Sequence, residues 1–190
     1  MPTTAAREKL RQVAIDSFNS QDWPNKELII VDGDATIGAK LNAACSKAKG
    51  DIIVRWDDDD WSADYRVSRQ VSYLDAFNVQ LTGFRQIYFW HEIKKKAMWY
   101  VGGAKDYCLG TSMCFRKSYW ERNKFIDTSY GEDLEFQKLA RAEKSVYSVP
   151  ADQIMVARIH TNSTSSGRVS YPEIDVAKLP KEFFRRINAV

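Results

Sequence analysis

Four consecutive aspartates after a short apolar run constrain this chain more than any other feature. Ile52–Val54 is predicted to be a buried strand, because its residues are β-branched and Gly50 precedes it. Two carboxylates ~4 Å apart repel by about 1 kcal/mol in water and about 4 kcal/mol near a partly dry surface. Asp57 to Asp60 would follow the carboxyl end of a strand, where open α/β sheets bind ligands. A divalent cation, Mn²⁺ or Mg²⁺, would offset their charge; the alternative is a solvated acidic loop.

The composition indicates one folded domain and gives little sign of a nucleic-acid or membrane protein. The 190 residues are 44% hydrophobic and 13% aromatic, enough for a substantial core, and the net charge is only +3. Cys45, Cys108 and Cys114 are odd in number and lack a CxxC spacing, which favours buried reduced thiols over disulfides or zinc. No apolar run has the length of a membrane span and the first residues do not resemble a secretory signal, so we expect a cytoplasmic protein.

The first half of the chain alternates between predicted helices and strands. Thr3 or Thr4 could cap a first helix, and residues 27–31 form a second apolar run that ends in Asp32 and Asp34. A helix is predicted from about Gly38 to residue 50, and Ser62 could cap another after the acidic run. This alternation of strands and helices predicts a largely parallel sheet with both groups of acids at one edge.

The second half contains more strands and one further helix of interest. Strands are predicted over 79–82, 86–90, 97–101, 145–149 and 154–159, with a turn at Lys94 to Lys96 and a short terminal helix from Pro180. A helix opens at Gly131 and carries Leu134, Phe136, Leu139 and Ala140. No linker divides the chain, so we predict one domain over 1–190: a first half at 1–75, a second at 76–170 and a tail at 171–190.

Three further residues have both a structural and a chemical interpretation. Glu132 and Asp133 would complement the dipole of the helix that they begin, but the same position suits a general base. His160 follows a strand; a lone histidine is more often structural, yet one at a strand end can join carboxylates around a metal. The order of these motifs along the chain is more informative than any one of them.

The ordered set resembles family 2 glycosyltransferases of the GT-A fold, from residue 1 to about residue 166. Asp57 to Asp59 after a buried strand resemble that family's DxD motif, and Glu132–Asp133 resemble its helix start. His160 with Asn162 and Ser163, the connection at 21–32 and the helix at 36–44 are also similar. The resemblance implies an α/β fold with a Rossmann-like mixed sheet flanked by helices.

The resemblance also implies an activity, an inverting and metal-dependent transfer of a sugar from a nucleotide-diphosphate sugar, UDP- or GDP-linked, to an acceptor hydroxyl. Asp59 and His160 would hold Mn²⁺ or Mg²⁺, and Asp133, beside Glu132, would take the acceptor's proton. Gly110, Thr111 and Ser112 would border the acceptor. The donor and its nucleotide would contact Pro2, Thr3, Arg7, Asp32, Asp34, Lys40, Asp57 and Asp58. Trp90 and Trp99 could stack on a sugar, although core packing is the commoner role of such residues.

Two departures from the family pattern lead to structural expectations. The family's first strand is essentially absent before Pro2, so two neighbouring strands should keep unpaired backbone groups, each costing about 1–3 kcal/mol if buried. Another segment, residues upstream, a strand-donating partner or a second copy of the chain would have to fill the gap. The connection at 31–37 is also shorter than in the family, and Asp34 would replace an acid that is missing there.

Two alternative functions compete with sugar transfer. A degenerate GT-A domain would bind a nucleotide sugar or a protein partner without catalysis, which the shortened nucleotide half favours. A nucleotidyltransferase also uses carboxylate-held metal, but the sequence has no glycine-rich phosphate loop near its start. The acceptor could be a glycan, a lipid carrier, a protein or, given the sequence pI of about 8.7, a modified nucleobase.

Overall fold

The computed structural model describes residues 1–102, 104–163 and 171–188, which form helices around one sheet. The helices are α1 (Glu8–Asn19), α2 (Ile37–Lys47), α3 (Arg66–Ala76), α4 (Lys117–Arg122), α5 (Glu132–Ala142) and α6 (Lys181–Ile187). The strands are β1 (Ile52–Val54), β2 (Trp61–Ser62), β3 (Leu81–His91), β4 (Lys96–Val101), β5 (Cys114–Arg116), β6 (Val146–Pro150), β7 (Met155–Ile159) and β8 (Glu173–Ile174). None of the helices described is both long and apolar enough to cross a membrane.

The long strand β3 organises the sheet, because it pairs with different neighbours along its length. Its first residues pair antiparallel with β5 and parallel with β6, while its last residues pair antiparallel with β4 and parallel with β7. A register shift between Phe84 and Gln86 separates the two halves. β1 joins antiparallel to β5, β2 to β7, and β8 to β4. The mixed sheet is therefore confirmed, and the largely parallel sheet expected from the strand–helix rhythm is wrong.

The predicted second strand at 27–31 is reduced to one parallel bridge. The backbone N–H of Val31 donates to the Met1 carbonyl, and the N–H of Thr3 donates to the Val31 carbonyl, each at 3.0 Å. Beyond this bridge the segment is extended but unassigned, and Ile30 is 41% exposed. The apolar run predicted a buried strand, but a strand needs neighbours on which to form its ladder. Among the described residues this segment forms one bridge, at Pro2, and Ile29 accepts a hydrogen bond from the Met1 amino group at 2.7 Å.

A cavity of about 430 Å³ lies beside β1, between this strand and the 25–31 segment. Within the described residues β1 pairs with β5 alone, so its other edge faces the cavity. Apolar side chains line the space, among them Met1, Leu28, Trp56 and Val71.

Several element boundaries differ from the sequence predictions. The strands predicted at 79–82 and 86–90 are one strand, β3, because the register shift bends it without ending it. Ser62 is the last residue of β2 rather than a helix cap, and α3 begins at Arg66. Leu134, one of the apolar residues of the helix predicted after Gly131, is 48% exposed. No sequence signal indicated β2, α4 or β8, which are only 2, 6 and 2 residues long.

Aromatic packing fixes α5 against the sheet. Phe136 on α5 stacks on Phe125 with ring centroids 3.9 Å apart, and it meets Phe115 of β5 and Tyr119 of α4 at 4.8 and 5.0 Å. The Phe136 side chain is 1% exposed. This packing holds the first turn of α5 at the edge of the sheet, close to the end of β1.

We expect Phe136→Ala to lower the free energy of unfolding by about 3–5 kcal/mol, since it opens a cavity among three aromatic rings. Leu134→Ala, two residues away on the same helix, removes a half-exposed side chain and should cost much less. Urea unfolding of both variants measures the difference. Equal losses would contradict the assignment of Phe136 as the anchor of α5.

Candidate active site

A cavity of about 710 Å³ opens where β1 ends and α5 begins, a volume typical of sites for small ligands. Its walls include the four aspartates of the acidic run and the first residues of α5. Of the residues predicted from the sequence, the following line it: Pro2, Thr3, Arg7, Asp34, Lys40, Asp57, Asp58, Asp59, Gly110, Thr111, Glu132 and Asp133. Residues that are up to 131 positions apart in the sequence therefore share one cavity.

Arg55 joins the acidic run to α5. Its Nε lies 3.0 Å from Asp57 Oδ1, its NH1 lies 3.0 Å from Glu132 Oε1, and its side chain is 8% exposed. Burial would lower the pKa of the Arg55 guanidinium, but Asp57 and Glu132 outweigh it and raise that pKa. Burial raises the pKa of Glu132, an effect that Arg55 partly offsets. The guanidinium is therefore the fixed counter-ion of two carboxylates from distant parts of the chain.

Asp60 makes a second connection between the acidic run and the site. Thr111 Oγ1 donates to Asp60 Oδ2, and the backbone N–H of Arg158 donates to Asp60 Oδ1 at 3.0 Å. Burial, Asp59 and Asp57 raise the pKa of Asp60 well above its usual value. The sequence suggested only a turn residue at Asp60; in the structure its side chain ties the 110–112 loop and β7 to the acidic run.

The loop at Gly110 brings Asp133 close to this connection. A Cβ built on Gly110 would lie 2.6 Å from Asp133 Oδ2 and 2.9 Å from Asp133 Cβ, closer than side chains approach one another. The close approach therefore requires glycine at position 110. Through Thr111, the same loop contacts Asp60, so Asp133 and the acidic run are held by one short segment.

Arg7 pairs with the two middle aspartates of the run. Its NH1 lies 2.8 Å from Asp58 Oδ1, and its NH2 donates to Asp59 Oδ2. Burial raises the pKa of Asp58 to about 6, although hydrogen bonding to Thr3 and the charge of Arg7 lower it. The Asp58 side chain is 1% exposed, and its Oδ2 has no hydrogen-bond partner among the described residues.

His160 contacts the same oxygen as Arg7. Its Nε2 lies 3.1 Å from Asp59 Oδ2, while its Nδ1 accepts the backbone N–H of Asn162 at 3.1 Å. Arg7 NH2, which can only donate, also lies 3.2 Å from His160 Nε2. The contact to Asp59 calls for a proton on Nε2, whereas the contact to Arg7 calls for a lone pair there. A metal at Nε2 would need the tautomer with the lone pair on that nitrogen.

The acidic run suits a divalent metal ion that would be coordinated by two carboxylates and by phosphate oxygens of a bound substrate. No group of three or more His, Cys, Asp or Glu side chains suitable for a metal occurs in the described ranges. Mg²⁺-type sites at substrate phosphates, however, use only one or two carboxylates plus phosphate oxygens. Asp58 and Asp59 supply two such carboxylates, and the unpartnered Asp58 Oδ2 is a buried acceptor without a donor. This pair therefore fits Mn²⁺ or Mg²⁺.

The predicted nucleotide residues divide into two groups. Lys40 is buried, and its Nζ donates to the Thr3 carbonyl at 2.8 Å, so it holds the start of the chain at the cavity wall. Asp34 is exposed at the cavity rim. Asp32 is also exposed, accepts the backbone N–H of Gly33 at 2.7 Å, and does not line the cavity.

The predicted acceptor residues also divide. Gly110 and Thr111 line the cavity, but Ser112 is buried, donates from its hydroxyl to the Leu109 carbonyl at 2.7 Å and accepts the Phe84 N–H at 2.8 Å. Its role is thus to fix the loop. Trp90 packs on Phe183 and Phe184 of α6, and Trp99 packs on Tyr88, which is the core packing that the sequence favoured for both.

Arg66 is a structural residue of the site that sequence reasoning missed. It is 1% exposed and donates to Ser62 Oγ, Gln70 Oε1 and the carbonyls of Arg55 and Thr111 at 2.9–3.0 Å. It thereby joins the end of β1 to the 110–112 loop. An arginine in the first turn of an amphipathic helix reads as a surface residue, so the sequence carries no signal for this role.

Comparisons with known proteins agree with this geometry. The profile of the family described as Glycosyl transferase family 2 matches residues 36–125. Solved structures of S. aureus TarS share the fold: residues 1–349 with UDP-GlcNAc superpose with a TM-score of 0.68 at 13% identity, covering 89% of this chain and 60% of that one. The same fragment with UDP gives 0.64 at 14% identity, covering 83% and 59%.

The comparisons confirm the resemblance to family 2 glycosyltransferases and the GT-A fold predicted from the sequence. This chain spans about three fifths of the length of those TarS fragments and 36% of the longer TarS chain, to which it is 14% identical with a TM-score of 0.62. No curated protein matches significantly. At such low identity, the structural likeness shows the fold alone.

We predict that Arg55→Met lowers the free energy of unfolding by about 3–5 kcal/mol, because it leaves Asp57 and Glu132 buried without their counter-ion. The control is Arg122→Met, which breaks the exposed pair between Arg122 and Glu143 and should barely change stability. Chemical denaturation at neutral pH compares the two. Similar losses of unfolding free energy in the two variants would show that the ion pairs of Arg55 contribute no more than an exposed surface pair.

Proposed function

We propose that this chain, which carries the GT-A fold and resembles Glycosyl transferase family 2 over residues 36–125, transfers a sugar from a nucleotide-diphosphate sugar to an acceptor hydroxyl with inversion and with a divalent metal. One observation carries the proposal: Asp133 and the acids Asp57 to Asp59 line the same cavity. A base for the acceptor and carboxylates for the donor must meet around one anomeric carbon. We further infer a cytoplasmic location.

The acidic run would serve the donor. Asp58 and Asp59 would hold Mn²⁺ or Mg²⁺, which when bound supplies a Lewis acid for the charge on the departing diphosphate. Asp57 is kept ionised by Arg55, which holds its pKa below the usual value even though burial acts in the opposite direction. An ionised, immobile Asp57 can accept hydrogen bonds from the hydroxyls of the ribose or the donor sugar.

Asp133 would act as the base. It lies in the first turn of α5, where the helix dipole favours negative charge, and it faces the cavity beside Gly110. The acceptor oxygen forms a bond to the anomeric carbon as the bond from that carbon to the diphosphate oxygen breaks. Asp133 takes the hydroxyl proton, and the nucleoside diphosphate leaves with the electron pair. One base suffices for this single displacement.

Glu132 would support the base rather than replace it. Its side chain is 6% exposed and is paired with Arg55 at 3.0 Å, so it points into the structure. By holding Glu132, Arg55 fixes the start of α5 relative to Asp57. The distance between base and donor is then set by one buried guanidinium.

For the donor, a uridine diphosphate sugar is the first class to test, because the solved TarS structures include complexes with UDP and UDP-GlcNAc. GDP-linked sugars are the alternative. Lys40 would act on the nucleotide indirectly, since its ammonium fixes the Thr3 backbone at the cavity wall. The acceptor would enter past Gly110 and Thr111, and a glycan, lipid-linked, protein or modified-base acceptor remains an option for assay.

A non-catalytic GT-A domain is the second candidate, and one observation favours it. Residues 27–31 form no strand, and Asp32 and Asp34 that follow them are exposed. In a site that recognises the base of a nucleotide, these two carboxylates would be expected to be buried and fixed by hydrogen bonds. Binding of a nucleotide sugar that survives Asp59→Ala, with no turnover of any donor, would favour this candidate.

We expect Asp133→Asn to lower transfer by about 10²–10⁴-fold while Mn²⁺-dependent nucleotide binding stays nearly intact, because the amide cannot take the proton. Turnover is measured as release of nucleoside diphosphate from a panel of donor sugars. Calorimetry with UDP or GDP and Mn²⁺ measures binding. Loss of nucleotide binding in this variant would overturn the assignment of Asp133 as the base.

The matched control is Glu135→Gln on the same helix turn. Glu135 is exposed, and its partner is Lys138. Glu135→Gln removes one negative charge near the start of α5, as Asp133→Asn does. The transfer rate of this control should equal that of the unmodified chain. An equal fall in both variants would mean that the charge of the helix start matters rather than the carboxylate of Asp133.

Gly110→Ala should lower transfer strongly and leave the fold intact, because its methyl group would displace the Asp133 carboxylate. Gly50→Ala is the control, since a Cβ there meets nothing nearer than the Ile52 carbonyl at 3.8 Å. Turnover and thermal melting are measured for both. Full activity in Gly110→Ala would refute the close contact as a determinant of the base position.

A further inference from the structure

Arg7 pairs with the two carboxylates that would hold the proposed metal. Its guanidinium spans Asp58 and Asp59, with NH1 on Asp58 Oδ1 at 2.8 Å and NH2 on Asp59 Oδ2. A divalent cation bound to the same two carboxylates would lie beside the guanidinium, and the two cations would repel one another. Arg7 therefore opposes metal binding at this pair.

Two buried atoms in this cluster lack hydrogen-bond partners in the part of the chain that the structure describes. One is a donor, Arg7 Nε, and the other is an acceptor, Asp58 Oδ2. Buried polar groups are nearly always paired, so an unpaired donor and an unpaired acceptor in one ion pair indicate an incomplete arrangement. A metal ion would satisfy the acceptor, and a phosphate oxygen would satisfy the donor.

We propose that Arg7 is an exchangeable counter-ion: it pairs with Asp58 and Asp59 until a divalent cation takes those carboxylates, and it then pairs with the diphosphate of the donor. The inference rests on the proposed function, because it assumes that metal and diphosphate share this cavity. Arg7 ends the short helix Ala5–Arg7 just before α1, and its side chain lines the cavity wall. The two carboxylates and the guanidinium carry a net charge of −1. A divalent cation and the doubly charged diphosphate of a nucleotide sugar offset one another, so the exchange leaves this net charge unchanged.

The exchange makes the metal and the nucleotide bind cooperatively. Without nucleotide, the metal must displace a guanidinium that has no other anion to pair with. With a diphosphate present, the guanidinium gains charge-assisted hydrogen bonds to phosphate oxygens, and the carboxylates become free for the metal. By linkage, each ligand then raises the affinity for the other by the same factor.

The test measures Mn²⁺ binding to the full chain by electron paramagnetic resonance, with and without UDP. We expect Arg7→Met, which keeps the aliphatic stem and removes the charge, to bind Mn²⁺ at least about tenfold more tightly than the unmodified chain when UDP is absent. The same variant should bind UDP alone about tenfold more weakly. Arg11→Met, on α1 and without an ion pair in the described residues, is the control for net charge and should change neither constant.

Equal or weaker Mn²⁺ binding by Arg7→Met would overturn the exchange and leave the proposed function standing. If neither the unmodified chain nor any variant binds Mn²⁺ even with UDP present, both the proposed metal-dependent function and the exchange are overturned. Circular dichroism verifies folding of each variant. If Arg7→Met does not fold, Arg7→Lys replaces it in the test. Lysine keeps the charge but lacks the guanidinium fork that pairs with both carboxylates, so Arg7→Lys should bind Mn²⁺ more tightly than the unmodified chain. An unchanged Mn²⁺ affinity would count against the exchange.

Discussion

The buried guanidinium of Arg55 is the interaction on which the rest of the site depends. It holds Asp57 after β1 and Glu132 at the start of α5, two carboxylates that would otherwise be buried without a counter-ion. Phe136 anchors the same helix through aromatic packing, and among the described residues Arg55 is the ion-pair link between the helix start and the acidic run. The placement of Asp133 relative to the acidic run follows from this ion-pair network together with the loop at Gly110 and Thr111.

The four aspartates coexist because each has different partners. Asp57 pairs with Arg55, Asp58 and Asp59 share Arg7, and Asp60 accepts hydrogen bonds from Thr111 and from the backbone at residue 158. The run is thus neither a uniform metal cluster nor a solvated loop. Its two middle residues pair with the long side chain of Arg7, whereas Asp57 and Asp60 are held by Arg55 and by Thr111 with the backbone at residue 158.

The sheet is complete around β3 and incomplete beside β1. β3 contacts four other strands along its length, whereas β1 pairs with β5 alone among the described residues and faces an apolar cavity on its other side. The segment at 27–31 keeps its extended form through one bridge to Pro2. The wall of the cavity at Gly110 and Thr111 lies beside a continuous sheet, whereas the wall at Asp34 is built on shorter and more exposed connections.

The helices α1, α2 and α5 and the hairpin of β3 and β4 follow from local signals in the sequence: apolar periodicity, glycine at element ends and turn residues between strands. The GT-A fold class and the predicted residues that line the cavity follow instead from the resemblance of the ordered motifs to family 2 glycosyltransferases. Tertiary structure alone decided that 27–31 forms no strand, that Asp60 and Arg66 are buried anchors, that Ser112 faces the core, and that Arg7 lies on Asp58 and Asp59. Each of these depends on which segment is placed beside another, and strand ladders and buried ion pairs join residues whose separation in sequence carries no periodic signal.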